Sequence, residues 1–176
     1  MTNMAFSRPN TFSIFLNWLP AMLALAVIAM ESTATMSGEN TSRWLLPLWL
    51  KLFGPVSHAR WEDIHFLIRK TGHFVGYGLV SLAFYRGWRK SLSDSRRQGV
   101  WFRRLRAAAF AVFCTLLVAS ADEFHQSFLP GRTSSPYDVC LDLCGALVAQ
   151  MILFAVLRFV WRGSMLQSRS DGPRWA

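Results

Sequence analysis

The sequence predicts an all-α, polytopic membrane protein in which four transmembrane helices form one bundle, and three observations carry that prediction. Over 176 residues, 52% hydrophobic side chains and a positive mean hydropathy of +0.24 stand beside a formal net charge of +9. Apolar runs recur at lengths close to the roughly 20 helical residues that cross a hydrocarbon core. The basic residues punctuate these runs instead of lining a polar face, which is the pattern of membrane topology. A pI near 10.5 would also suit nucleic acid, but no reading motif accompanies the charge and no nucleic-acid partner is expected.

The spans are expected at about 12–30, 64–86, 107–127 and 137–161, within a single domain covering 1–176. The first run follows Arg8 and continues through Met30 with no small-x-small site that clearly ends it, so it reads as a retained helix and not a cleaved signal. In the first connecting segment, Trp44-Leu45-Leu46-Pro47-Leu48-Trp49-Leu50-Lys51-Leu52-Phe53 is too short to span. Its tryptophans suit the headgroup region, so a short interfacial helix is expected there. Gly54-Pro55 should break it, and Trp61 should anchor the outer end of the second span. The fourth span opens on Ser135-Pro136-Tyr137-Asp138, a serine cap, a proline at the first helical position and an acid in the first turn.

Charge asymmetry gives an orientation. Between Arg86 and Arg106 stand eight basic residues, Arg86, Arg89, Lys90, Arg96, Arg97, Arg103, Arg104 and Arg106, against Asp94 alone. Such a loop belongs in the cytoplasm. Four spans then place both termini inside, where Arg158, Arg162, Arg169 and Arg174 close the last span or fill a tail over 162–176. The outer segments are poor in positive excess: Arg43, Lys51 and Arg60 face Glu31, Glu39, Glu62 and Asp63, and Arg132 is the single basic residue of the last loop. A basic cluster of this size also attracts anionic lipid at about 1 kcal/mol per residue, although topology alone accounts for it.

The three cysteines, Cys114, Cys140 and Cys144, all fall inside expected spans. Cys140 and Cys144 share a helix face and are read as packing residues, since such neighbours do not readily bridge. There is no CxxC pair, and neither a metal nor a cofactor is expected.

Ionisable groups within spans cost about 2.5–3.5 kcal/mol each on translocon scales, so they face the bundle interior and find partners. Phe66, Lys70, His73 and Tyr77 recur at helical spacing on one stripe of the second span, with Arg69 beside it. At ~1.5 Å per residue, Lys70 lies roughly 9 Å and His73 roughly 13 Å from the start of that span. The third span closes on Asp122-Glu123-Phe124-His125-Gln126, and Pro130-Gly131 turns the chain before Arg132. Asp142 lies one turn beyond Asp138, on a face continued by Gly145 and Ala149, and small residues at that spacing let helices approach closely. All these groups fall at one depth. They are expected to converge on a cluster in which Arg69, Lys70 and Arg132, with His73 and His125, nearly balance Asp122, Glu123, Asp138 and Asp142. Such balance suits a salt-bridge network, on which a ligand site can be built.

Arg69-Lys70-Thr71-Gly72-His73-Phe74 with Tyr77, then Asp122-Glu123-Phe124-His125-Gln126 leading to Pro130-Gly131-Arg132 and Asp138, resemble the VanZ-like family. These are small bacterial membrane proteins named after a member associated with teicoplanin resistance. The resemblance runs over about residues 12–160 and includes Phe74 and Gly145. It implies a place in the bacterial cytoplasmic (inner) membrane and a role in the cell envelope. Asp142 stands where many relatives have asparagine and Gly76 where some have an acid, so an added partner for Asp142, Lys70 or Arg132, is expected.

Three functions compete. A non-enzymatic envelope protein would bind an anionic lipid or cell-wall precursor headgroup, or alter glycopeptide susceptibility, with Arg132, Lys70 and His73 as donors. An enzyme acting on an envelope lipid would use Asp122 or Glu123 as base and His73 or His125 as acid, with a metal variant recruiting His73 and carboxylates. A transporter subunit would need a homo-oligomer, because the inner halves of the spans are apolar.

Overall fold

The structure is a computed structural model that describes residues 11–92, 99–130, 132 and 134–170, of which 163–170 through the backbone only. Arg8, Asp94, Arg96, Arg97, Gly131 and Arg174, and the side chain of Arg169, lie outside the described residues. The described residues form helices α1 (Thr11–Glu31), α2 (Gly38–Phe53), α3 (His58–Ser91), α4 (Val100–Gln126) and α5 (Pro136–Ser170), with a 3₁₀ turn over Ala34–Met36 and no strand.

Helix α3 is the centre of the bundle and packs against α1, α4 and α5. Small side chains make this possible. A Cβ placed on Gly145 of α5 would lie 2.9 Å from the carbonyl carbon of Phe74, and one on Gly78 of α3 would meet the Gly145 carbonyl oxygen at 3.2 Å and Ala149 at 3.3 Å. The face through Asp142, Gly145 and Ala149 is therefore where α5 meets α3, as its spacing predicts. Ala21, Ala107, Ala111, Ala119 and Ala146 fill the remaining interior. Trp18 of α1 closes the far end of the bundle, its edge on Trp88 and its Nε1–H donated to Ser91 Oγ at 2.9 Å.

Helices α1, α4 and the Pro136–Arg162 part of α5 are long and apolar enough to cross a membrane. Their exposed surfaces carry Leu23, Val27, Phe113, Leu117, Ile152, Val156 and Phe159. This inside-out distribution, with small and polar residues buried and large apolar ones outside, inverts the usual arrangement of a water-soluble bundle. Helix α3 runs 34 residues but does not reach the same apolarity. The reason is local: Arg69, Lys70 and His73 interrupt its apolar run, although Phe66, Leu67, Val75 and Leu79 face outward and His65, Tyr77 and Ser81 are buried.

Helix α2 begins at Gly38, earlier than the Trp44–Phe53 segment that suggested it. Ser37 caps its start through the Asn40 amide, and Gly54, at φ 86°, ends it as only glycine does without strain. Trp44, Leu52 and Phe53 are exposed. Trp61 is more enclosed than expected: it is buried, stacked on His65 and bonded through Nε1–H to Ser42 Oγ at 2.7 Å, so it pins α2 to α3. Cys140 and Cys144 also differ, since both are exposed on the outer face of α5 and unbridged, whereas Cys114 packs partly against the core. Helix α5 continues to Ser170, through the first part of the expected tail.

Candidate functional site

The polar residues singled out by spacing gather at the end of the bundle where α1 and α4 finish and α3 and α5 start. On α3, Lys70 pairs with Asp138 in the first turn of α5, and its ammonium sits 5.3 Å from the Phe66 ring centroid. One turn deeper, His73 Nδ1 lies 3.4 Å from Asp142 Oδ1, and its ring stacks at 6.1 Å on Tyr77. Tyr77 donates its hydroxyl to Asp122 Oδ2 at 2.8 Å, joining α3 to α4. Glu123 Oε2 accepts the Ser135 amide at 3.0 Å, and its carbonyl accepts the Ser134 hydroxyl, so α4 fixes the start of α5. Ser135 caps that start through the Tyr137 amide, as expected.

Two expected pairings are replaced by others. Asp142 meets His73 and neither Lys70 nor Arg132. Lys70 is held by Asp138, nearer the helix end, where a long side chain can reach. Arg132 was expected among the carboxylates, but it donates from one terminal nitrogen to the carbonyl oxygens of Glu31 and Thr33. The last carbonyls of a helix have no partner within it, and the loop arginine supplies one for α1. Burial and the charge of neighbouring Arg69 press its pKa below the ordinary arginine value.

The charge balance therefore differs from the expected one. With Lys70 committed to Asp138 and Arg132 to a backbone cap, Asp122, Glu123 and Asp142 form an acidic floor, met by Tyr77 and His73. Both carboxylate oxygens of Asp142, which is fully buried, accept no hydrogen bond among the described residues, and Asp122 Oδ1 accepts none either. Atoms of His73, Glu123 and Asp142 that could each ligate an ion lie within 4.8 Å of one another.

Two adjoining cavities open above this floor. One of about 190 Å³ is lined by residues that include Arg69, Lys70, His73, Glu123, Gln126 and Asp138. The other, about 140 Å³, lies between Arg69, His73, Glu31 and Arg132. Arg69 and His73 border both. Pro130 occupies the turn after α4 and touches neither.

Residues 10–158 match the VanZ/LLP1 family. The chain belongs to this family. No curated protein and no solved structure matches it. Membership of the VanZ/LLP1 family, with three helices fit to cross a bilayer, makes this a membrane protein.

Several contacts escaped the sequence reading. His125 meets Ser32 Oγ at 3.0 Å, tying α4 to the end of α1, and lines neither of the two cavities. His65 meets Thr41 of α2 at 3.1 Å. Gln150 donates to the Ser81 carbonyl and hydroxyl at 3.1 and 2.9 Å, a buried link between α5 and α3. A glutamine inside an otherwise apolar run was the available signal for the last of these.

Proposed function

We propose that this VanZ/LLP1 protein binds the phosphate-bearing headgroup of an anionic lipid or lipid-linked cell-wall precursor in the paired cavities. The observation that carries the reading is the juxtaposition of Arg69 with Arg132 and His73 around one cavity and with Lys70 around its neighbour. Arg69 and Arg132 line the same cavity, and a phosphate there would accept charge-assisted bonds from Arg69 and from Arg132 groups that the α1 cap does not use, such as Nε, which has no partner among the described residues. Size narrows the occupant. Pockets for drug-sized ligands run to roughly 300–1,000 Å³, so cavities of about 190 and 140 Å³ suit a headgroup and not a glycopeptide. Any effect on teicoplanin susceptibility would follow from sequestering or shielding a precursor.

In this reading α3 is the fourth span, its polar face covered by the other helices and its apolar face in lipid. The basic end, with Arg86, Arg89, Lys90, Arg103, Arg104 and Arg106, is cytoplasmic. Both termini then lie inside the inner membrane's cytoplasmic face, and the cavities open toward the outer leaflet, with α2 lying along it.

Calorimetric titration of detergent-solubilised protein with dihexanoyl phosphatidic acid tests the proposal, with dihexanoyl phosphatidylcholine as comparison. Saturable binding of the phosphomonoester that weakens about tenfold in Arg69→Ala supports it, that being the worth of about 1.4 kcal/mol. Equal binding of both lipids, unchanged by Arg69→Ala, would refute it.

The placement of His73 on the cavity wall with Asp142 behind it favours a second reading, acid–base catalysis on the bound headgroup. Phosphate or alcohol release from an envelope lipid, abolished in a folded His73→Gln variant, would establish it.

A further inference from the structure

We infer that His73, Glu123 and Asp142 form a binding site for one divalent metal ion of intermediate hardness, Zn²⁺ or Mn²⁺, at the floor of the cavities. The three side chains come from three helices, α3, α4 and α5, yet their potential ligand atoms lie within 4.8 Å of one another. Metal–ligand bonds of about 2.1 Å place tetrahedral neighbours about 3.4 Å apart. The His73 Nδ1 to Asp142 Oδ1 separation is 3.4 Å, and a ligand atom of Glu123 lies within 4.8 Å of both residues.

A second observation points independently to a cation. Asp142 has no exposed surface, and both of its carboxylate oxygens lack a hydrogen-bond partner among the described residues, as does His73 Nδ1. Leaving a buried carboxylate unsatisfied is among the most expensive arrangements available to a protein. The basic residues nearby relieve it only in part, because Lys70 is held by Asp138, Arg132 by the end of α1, and His73 reaches Oδ1 alone, at 3.4 Å, leaving Oδ2 with no partner among the described residues. One imidazole nitrogen with two carboxylates is a donor set for zinc or manganese, softer than an all-oxygen magnesium or calcium cage. His73 and Glu123 also line the larger cavity, so an ion has a route in and would keep a coordination position facing that space.

The site does not depend on headgroup binding, and the test is run without lipid. Chelator-stripped full-length protein in mild detergent is titrated with Zn²⁺, Mn²⁺ and Co²⁺, read by calorimetry, by metal content after desalting and by the visible spectrum of Co²⁺. The expected result is one ion per chain, a Co²⁺ spectrum with nitrogen and oxygen donors, and at least about tenfold weaker binding in Asp142→Asn and His73→Gln. Glu62→Gln, at the exposed rim, should bind like the wild type. Should the variants fail to fold, the wild type alone decides. Saturating Zn²⁺ must raise its melting temperature, because a ligand that binds only the folded state stabilises it. No retained ion and no thermal shift, or several weak ions lost equally in Glu62→Gln and Asp142→Asn, would overturn the inference.

Discussion

At the scale of single residues, the cluster divides its charged groups between anchoring and binding. Arg132 anchors: its guanidinium closes the carbonyl end of α1. Hydrogen bonds to a charged group contribute about 1.5–3 kcal/mol each. Arg132→Ala should accordingly lower the melting temperature in detergent by several degrees, whereas removing Arg86, exposed at the basic end, should leave it unchanged. Differential scanning fluorimetry of both variants checks this, and equal tolerance would mean that the cap contributes nothing. Lys70 binds and also neutralises. Lys70→Ala removes a donor and strands the largely buried Asp138 carboxylate beside the incoming anion, so phosphatidic acid affinity should fall about tenfold or more and the melting temperature should fall as well. Restored affinity in Lys70→Ala combined with Asp138→Asn would assign much of that loss to repulsion.

At the scale of the elements, close approach between α3 and α5 sets the depth at which His73 meets Asp142. Gly145 has no room for a methyl group because the Phe74 backbone lies against it, while a Cβ on Gly76 would meet nothing within 4 Å. Gly145→Ala should therefore destabilise by about 1–3 kcal/mol through overpacking. Gly76→Ala should be neutral or stabilise by about 0.5–1 kcal/mol, since it removes backbone freedom from a helix interior. Thermal melts of the two variants compare them directly. The same elements show what a sequence discloses. Helix placement, the serine cap before Pro136, the Gly54 break and the small face of α5 were legible because each depends on local geometry or helical spacing. Convergence of Lys70, His73, Tyr77, Asp122, Glu123 and Asp142 was legible because polar side chains in apolar runs must find one another. Which partner each would take was not. Arg132 could reach carboxylates or carbonyls from the same loop, and only the position of the end of α1 decided it. Trp61 illustrates the same limit: an interfacial tryptophan and one buried under α2 look alike in a sequence, because burial depends on where a neighbouring helix lies.

At the scale of the whole molecule, the bundle keeps its polar groups inside and sorts them by end. Mixed charge gathers where α3 begins and basic charge where it ends, and the proposed topology follows if α3 crosses the bilayer. Cysteine labelling tests this in a background with Cys114, Cys140 and Cys144 replaced by alanine. A maleimide that cannot cross membranes should modify Ser57→Cys in intact cells and Lys90→Cys only after the membrane is opened. Labelling of both from the same side would show that α3 does not span. The central claim is that the cavities beside Arg69, Lys70 and His73 hold an anionic headgroup. Native mass spectrometry of the protein as purified in mild detergent, beside Lys70→Ala and Arg69→Ala, tests it most directly. The account predicts a phosphate-bearing lipid that stays with the wild type through mild activation and is lost from both folded variants. A wild type that carries no lipid, or variants that retain the same lipid to the same extent, would contradict it.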